Sequence, residues 1–331
     1  MADHGGSLER ARNLFPGAPE PWVDLSTGIN PHSYPHPPIS ATALSRLPEA
    51  ADVLHLQRAA AAAYGAPATA LVAAPGTQIL LPQVMSLLPP GRAAVLSPTY
   101  AEHARVAALA GHRVSKVASV EELAEADLAV VVNPNNPDGR VLRRAEVLDL
   151  ARALGRRGGL LVVDEAFMEV GPVGESVAGD VEDFPIVVLR SFGKFFGLAG
   201  LRLGFAIAAK ENAERLGARL GPWAVSGPAL EVGLAALADR PWQETMRGRL
   251  QKESQRLDGL IQAHGLSVCG GTALFRFVRD RRASEIFAAL GRSGILVRAF
   301  DAMPDALRFG LPGDERAWTR LEVALDLWFD A

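Results

Sequence analysis

Short apolar runs separated by amphipathic stretches set the pattern of this chain. Residues 93–96, 128–132, 160–163, 186–189 and 203–207 are rich in valine, leucine and alanine, which predicts strands of a parallel sheet buried on both faces. Between several of them apolar residues recur at helical spacing, over 79–88, 101–110, 143–156 and 212–220, so an α/β fold is expected. After about Pro222 the pattern changes. A long helical stretch to about Gln262 precedes a strand-like 273–278, a helix near 284–292, strands at 295–298 and 307–309, and a final helix over 315–329. That order predicts a second, smaller α+β domain. The expected organisation is an N-terminal arm over 1–38 ending in the proline-rich 31–38, a large domain over 39–221 and a small one over 222–331.

A chain of 331 residues with 49% hydrophobic positions can bury a sizeable core without staples. Its 34 basic and 37 acidic residues give a net charge of -3 and are mixed along the sequence, so nucleic acid is not an expected partner. Cys269 is the single cysteine, which excludes an internal disulfide and a cysteine-rich metal site, and no metal is expected. The first seven residues lack the basic-then-apolar order of a secretion signal, and prolines and charges interrupt every long apolar run. A soluble protein of the reducing cytoplasm, away from membranes, is the expectation.

Candidate chemistry gathers at the ends of the apolar runs. Lys194 lies in Ser191-Phe192-Gly193-Lys194-Phe195-Phe196-Gly197, just past the run ending at Leu189, where a flexible amine can reach a cleft. Asp164 ends another run, where open α/β sheets gather ligands. A carboxylate buried there requires a cationic partner. Glu165 is the weaker candidate, because alternation along a strand turns it to the other face. Asn136 stands before Pro137 in Asn133-Pro134-Asn135-Asn136-Pro137-Asp138-Gly139, a turn that can aim an amide at a ligand. Gly76, Thr77 and Gln78 open a helical run, a place suited to phosphate, and Ser191 and Arg202 can add a hydroxyl and a guanidinium. Tyr100 follows the run 93–96 and can lay its ring on an aromatic ligand.

Together these segments resemble the fold-type I pyridoxal phosphate (PLP) enzymes of the aspartate aminotransferase-like fold, in the subgroup of histidinol-phosphate aminotransferase. The resemblance implies PLP as cofactor. It makes Lys194 the catalytic residue that holds the cofactor, with Asp164 on the pyridine nitrogen and Asn136 on the phenolic oxygen. Gly76, Thr77, Gln78, Ser191 and Arg202 would take the phosphate, and Tyr100 would lie on the ring. Within the subgroup, His4-Gly5-Gly6, Asp24-Leu25-Ser26-Thr27-Gly28-Ile29-Asn30-Pro31, Pro222-Trp223-Ala224-Val225-Ser226 and Ile295-Leu296-Val297-Arg298 look like the threonine-phosphate decarboxylases of cobalamin biosynthesis. On that likeness His4, Gly5, Gly28, Asn136, Arg298 and Arg308 line a pocket for a small phosphorylated amino acid, and the protein is a homodimer. Several cations and backbone donors do suit a substrate with both carboxylate and phosphate.

Two positions depart from the wider pattern. Phe167 stands where many aminotransferases carry a tyrosine, which the decarboxylases lack as well. Leu47 replaces a tyrosine that reaches the neighbouring subunit's cofactor phosphate in both subfamilies. Two reactions fit the motifs: decarboxylation of O-phospho-L-threonine, and transamination of histidinol phosphate or a related phosphorylated amine. A non-catalytic PLP-binding protein is a third reading, weakened by Lys194 and Asp164.

Overall fold

The computed structural model describes residues 5–329. Two compact units divide the chain. The larger takes residues 33–136 and 141–243; the smaller takes the chain up to His32, the short piece 137–140, and everything from Glu244. Strands are β1 (Val23–Leu25), β2 (Leu71–Ala74), β3 (Arg92–Leu96), β4 (Arg113–Val117), β5 (Leu128–Val132), β6 (Leu160–Asp164), β7 (Ile186–Ser191), β8 (Gly204–Ala208), β9 (Ser267–Thr272), β10 (Phe275–Arg279), β11 (Ile295–Phe300) and β12 (Met303–Gly310).

The larger unit is built on a seven-stranded sheet in the order β2-β8-β7-β6-β5-β3-β4. Every neighbouring pair is parallel except those made by β8, which runs against both β2 and β7. The central strands β5, β6 and β8 are buried at every position, as strands covered on both faces must be. Alternate residues face one cluster: Val130, Val162, Val187 and Ala206 pack with Leu80, Val84, Val106 and Leu216 from the helices Thr77–Met85, Glu102–Leu109 and Lys210–Leu220. Their neighbours Val131, Val163, Val188 and Ile207 are equally buried. The α/β, mostly parallel architecture read from the sequence is therefore the one observed.

The smaller unit has a five-stranded sheet in the order β1-β11-β12-β10-β9. Its strands pair antiparallel apart from β1, which lies parallel to β11. A strand at residues 23–25 thus joins a sheet, within the stretch where the sequence reading places an arm. Ahead of β1, the helix Leu8–Leu14 leads to Phe15, which packs with Trp22 and Phe287. A Cβ at Gly291 would overlap the Phe15 ring.

The unit boundaries at His32/Ser33 and Gln243/Glu244 fall elsewhere than the readings at 38/39 and 221/222. The reason at the second boundary is packing. Gly227–Ala238 lies against Ala50–Tyr64, and Gly227 sits so close to the Ala43 backbone that no side chain fits. The change of pattern after Pro222 is a change of helix, not of unit. The single long helix expected there is two, Gly227–Ala238 and Arg240–Ala263, parted at Asp239, whose carboxylate caps the second by accepting from the Trp242 backbone at 3.0 Å.

Candidate functional site

In the larger unit, chain direction delivers the predicted residues to one edge of the sheet. β3, β5, β6 and β7 end there at Leu96, Val132, Asp164 and Ser191; β2 ends there at Ala74; antiparallel β8 begins there at Gly204, two residues after Arg202. Tyr100, Asn136, Asp164, Ser191, Lys194, Gly76 and Arg202 each lie at or just beyond one of these ends, the side where ligands bind in open α/β sheets.

Around Gly76 the geometry is that of an anion cup. Gly76 caps the helix Thr77–Met85 with φ 85°, in the left-handed region. A Cβ there would come within 2.5 Å of Arg202 Nη2, so the missing side chain lets the guanidinium reach the helix start. Arg202 itself has φ 54° and donates Nη1 to the Ala199 carbonyl at 3.0 Å. Ser191 is paired in register with Gly204, where a Cβ would lie 2.6 Å from the Thr77 nitrogen. The Ser191 hydroxyl does not cap the short helix Phe192–Phe195 that follows it. The helix start and the Arg202 guanidinium meet at Gly76, with Ser191 one strand pairing away through Gly204, an arrangement suited to a phosphate.

Asp164 is largely buried, and its carboxylate accepts from the Ala166 N–H at 3.0 Å and meets His103 Nε2 at 2.9 Å. Glu165 has different partners: Arg190 at 2.7 Å, the Ser176 hydroxyl at 2.7 Å and the Val177 N–H at 2.9 Å. It is committed to a wholly buried ion pair, so Asp164 is the carboxylate available at the edge. The Asn133 amide clasps the Leu142 backbone in both directions, at 3.0 and 2.9 Å. Asn135 accepts from the Thr99 hydroxyl at 2.7 Å and donates to the Pro98 carbonyl at 2.9 Å, tying the loops after β3 and β5 together. Lys194 is half-buried, with Nζ 5.7 Å from the centre of the Phe167 ring, a cation–π distance.

The smaller unit gathers the predicted substrate residues. Arg298 on β11 and Arg308 on β12 occupy directly opposed positions of an antiparallel ladder. Arg308 is buried over the Phe275 ring at 4.9 Å and donates Nη2 to the Ser26 carbonyl at 2.8 Å. Burial first, then Arg298, pull its guanidinium down to about 10, against the opposing pull of Asp24. The Ser26 hydroxyl donates to Asp24 at 2.6 Å and accepts from the Gly6 N–H at 2.7 Å. Gly5 lies against the Ser26 carbonyl so tightly that a Cβ would sit 2.5 Å from it. Gly28 is buried just beyond. Like charges opposed across a ladder repel, and an anion between them reverses that cost. His4 lies outside the described residues.

The family model for aminotransferase class I and II matches residues 25–324. The chain belongs to the class I and II aminotransferase family. Within this family, it is 45% identical to a threonine-phosphate decarboxylase of Pseudomonas aeruginosa, over 98% of this chain and 97% of that one. A threonine-phosphate decarboxylase of a Sinorhizobium species is 43% identical, over 97% of each. The histidinol-phosphate aminotransferase of Sinorhizobium meliloti, solved in complex with pyridoxal-5'-phosphate, superposes with a TM-score of 0.81 at 21% identity, covering 97% of this chain and 94% of that one.

His103, absent from the sequence reading, is the side chain that meets Asp164. It is fully buried, and its ring meets the Tyr100 ring edge-on at 5.8 Å. Its only signal in the sequence is a spacing of three from Tyr100, one helical turn. Nothing local ties it to Asp164, on a strand two places away in the sheet. Among the described residues no helix is long and apolar enough to cross a membrane.

Proposed function

We propose that this chain is a PLP-dependent threonine-phosphate decarboxylase, converting O-phospho-L-threonine to (R)-1-aminopropan-2-yl phosphate and carbon dioxide in cobalamin biosynthesis. The larger unit serves as the cofactor domain and the smaller as the substrate domain. The observation that carries this reading is the near-full-length 45% identity to a relative so named, with a pair of opposed arginines suited to a substrate bearing two anionic groups.

The residues present fit the cofactor: a side chain at Gly76 would push the Arg202 guanidinium off the helix start, and Asp164 is a buried carboxylate held by His103 and a backbone N–H. PLP supplies an electron sink for the pair left when the Cα–carboxylate bond breaks. Lys194 would hold the cofactor through its aldehyde carbon and would supply the proton for Cα. Asp164, held in place by His103, would take the pyridine nitrogen and favour its protonated form. Gly76, Thr77 and Gln78 would offer N–H groups, and Ser191 and Arg202 their side chains, to the cofactor phosphate. Asn136 would take the phenolic oxygen without help from Phe167, which carries no hydroxyl. Tyr100 would pack on the ring. In the smaller unit Arg298 and Arg308, with Gly5, Gly28 and His4, would take the substrate's carboxylate and phosphate. By fixing those groups they determine which Cα bond stands ready to break.

The protein acts as a cytoplasmic homodimer in this reading. Leu44 and Leu47, 71% and 65% exposed, give the partner subunit an apolar surface where relatives carry a tyrosine at the Leu47 position.

The test is incubation of the PLP-loaded protein with O-phospho-L-threonine in the absence of any keto acid, following carbon dioxide and the amine. Steady release over many turnovers, lost in Lys194→Ala, is expected. No release, with conversion of histidinol phosphate once 2-oxoglutarate is supplied, would replace the decarboxylase by the aminotransferase.

A further inference from the structure

Glu102 opens the helix Glu102–Leu109 and is almost entirely buried, its side chain 4% exposed. Its carboxylate accepts from Gln78 Nε2 at 2.8 Å and from the Arg105 guanidinium, Nε at 2.7 Å and Nη2 at 2.6 Å. The bidentate pair and the helix N-terminus both favour the ionised form. An ionised carboxylate only accepts hydrogen bonds, so it dictates which end of the Gln78 amide faces it: the nitrogen. The amide oxygen therefore points the other way, to the Tyr100 hydroxyl at 3.2 Å, and that hydroxyl must donate. Tyr100 meets His103 edge-on, and His103 holds Asp164. A directed relay thus runs from Arg105 through Glu102 and Gln78 to the ring of Tyr100.

Resting on the cofactor site proposed above, we infer that Glu102 is a positioning residue for that site, fixing the Gln78 amide and through it the plane in which Tyr100 lies against the PLP ring. Gln78 then has two tasks on separate atoms. Its backbone N–H belongs to the phosphate cup, and its side chain links the cup to the ring support. Glu102→Gln keeps the shape and removes the direction, because an amide facing an amide pairs in either orientation. Tyr100 then meets a donor as often as an acceptor and loses its fixed setting.

The experiment uses the PLP-loaded protein and its variants Glu102→Gln, Gln78→Leu, Tyr100→Phe, and Glu102→Gln combined with Tyr100→Phe, each checked for folding by far-ultraviolet circular dichroism. The readouts are the rate of PLP release into a trap and the circular dichroism of the bound cofactor's visible band. Glu102→Gln and Gln78→Leu are each expected to speed release about three- to tenfold, the size of one lost hydrogen bond, and to weaken the visible band. kcat falls with them, while KM for the phosphoamino acid stays near the wild-type value. With Tyr100→Phe already present, Glu102→Gln should change release less than about twofold, since the hydroxyl through which it acts is gone. Equal effects of Glu102→Gln with and without Tyr100→Phe would overturn the inference, and so would a folded Gln78→Leu protein that holds PLP as the wild type does. A wild-type protein that takes up no PLP would overturn the cofactor reading itself and this inference with it.

Discussion

In the larger unit, Asp164, Asn136, Lys194, Tyr100 and Gly76 all follow from where a strand stops, whereas in the smaller unit Arg298 and Arg308 lie inside strands and meet only because β11 and β12 pair in one register. Stopping points are fixed by local sequence. Register is fixed by everything packed on the sheet, and a slip of one residue turns a side chain to the opposite face. The larger unit pairs buried charges, as in Arg190 with Glu165, while the smaller one sets Arg298 opposite Arg308, which also donates to the Ser26 carbonyl and feels the Asp24 carboxylate. In the function proposed above, the first arrangement belongs to the unit that holds the cofactor and the second to the unit that takes the substrate's anionic groups.

That contrast breaks first at Lys194. Lys194→Ala should lower decarboxylation about 10³- to 10⁴-fold, as loss of both the covalent anchor and the proton donor implies, while the affinity of the PLP-loaded variant for a phosphate anion at the smaller unit is unchanged. Steady-state assay and calorimetry with inorganic phosphate measure the two separately. Asp164→Asn should cost roughly 10²- to 10³-fold in kcat, the scale of one preorganised electrostatic partner in a site shielded from water, again with little change in KM. If KM rose as far as kcat fell, the division of labour between the units would fail. Arg308→Gln tests the converse: a charge-assisted hydrogen bond contributes about 1.5–3 kcal/mol, so KM for O-phospho-L-threonine should rise about 10- to 150-fold with the rate of PLP release unaltered.

The same contrast explains what was legible in the sequence. Apolar runs bounded by turns marked β3, β5, β6, β7 and β8, and with them Tyr100, Asn136, Asp164, Ser191, Lys194 and Arg202. Missed strands had no such mark. β2 reads Leu-Val-Ala-Ala, too short and alanine-rich to separate from helix, and β4 reads Arg-Val-Ser-Lys-Val, an edge strand exposed or half-exposed throughout. The alanine run 59–63 lies within the helix Ala50–Tyr64. Asp239-Arg240-Pro241 carried a readable helix boundary, a capping carboxylate with proline near the next helix start. In the smaller unit Arg298 and Arg308 came from family likeness alone. Their opposition depends on the register of β11 with β12, and the bond from Arg308 to the Ser26 carbonyl joins residues 282 positions apart; neither leaves a local pattern.

The smallest effect sharpens the comparison most, because it reads the smaller unit without touching its sequence. Arg308 is a cation whose proton affinity burial depresses, to about 10, well below the ordinary arginine value. As pH rises through 10 the folded protein gives up this proton while the unfolded chain still keeps it, so from this group alone stability increases across that window. Anion affinity moves the opposite way, because the charge that draws the ligand is lost. PLP-loaded protein, in which the cofactor phosphate fills the cup at Gly76, titrated with inorganic phosphate, which stays a dianion over this range, should bind about twofold more weakly at pH 10 than at pH 8, as half the Arg308 population is then neutral. Arg308→Gln should bind weakly at both values and lose the step. A wild-type affinity flat to pH 10.5 would place the anion elsewhere than at Arg308.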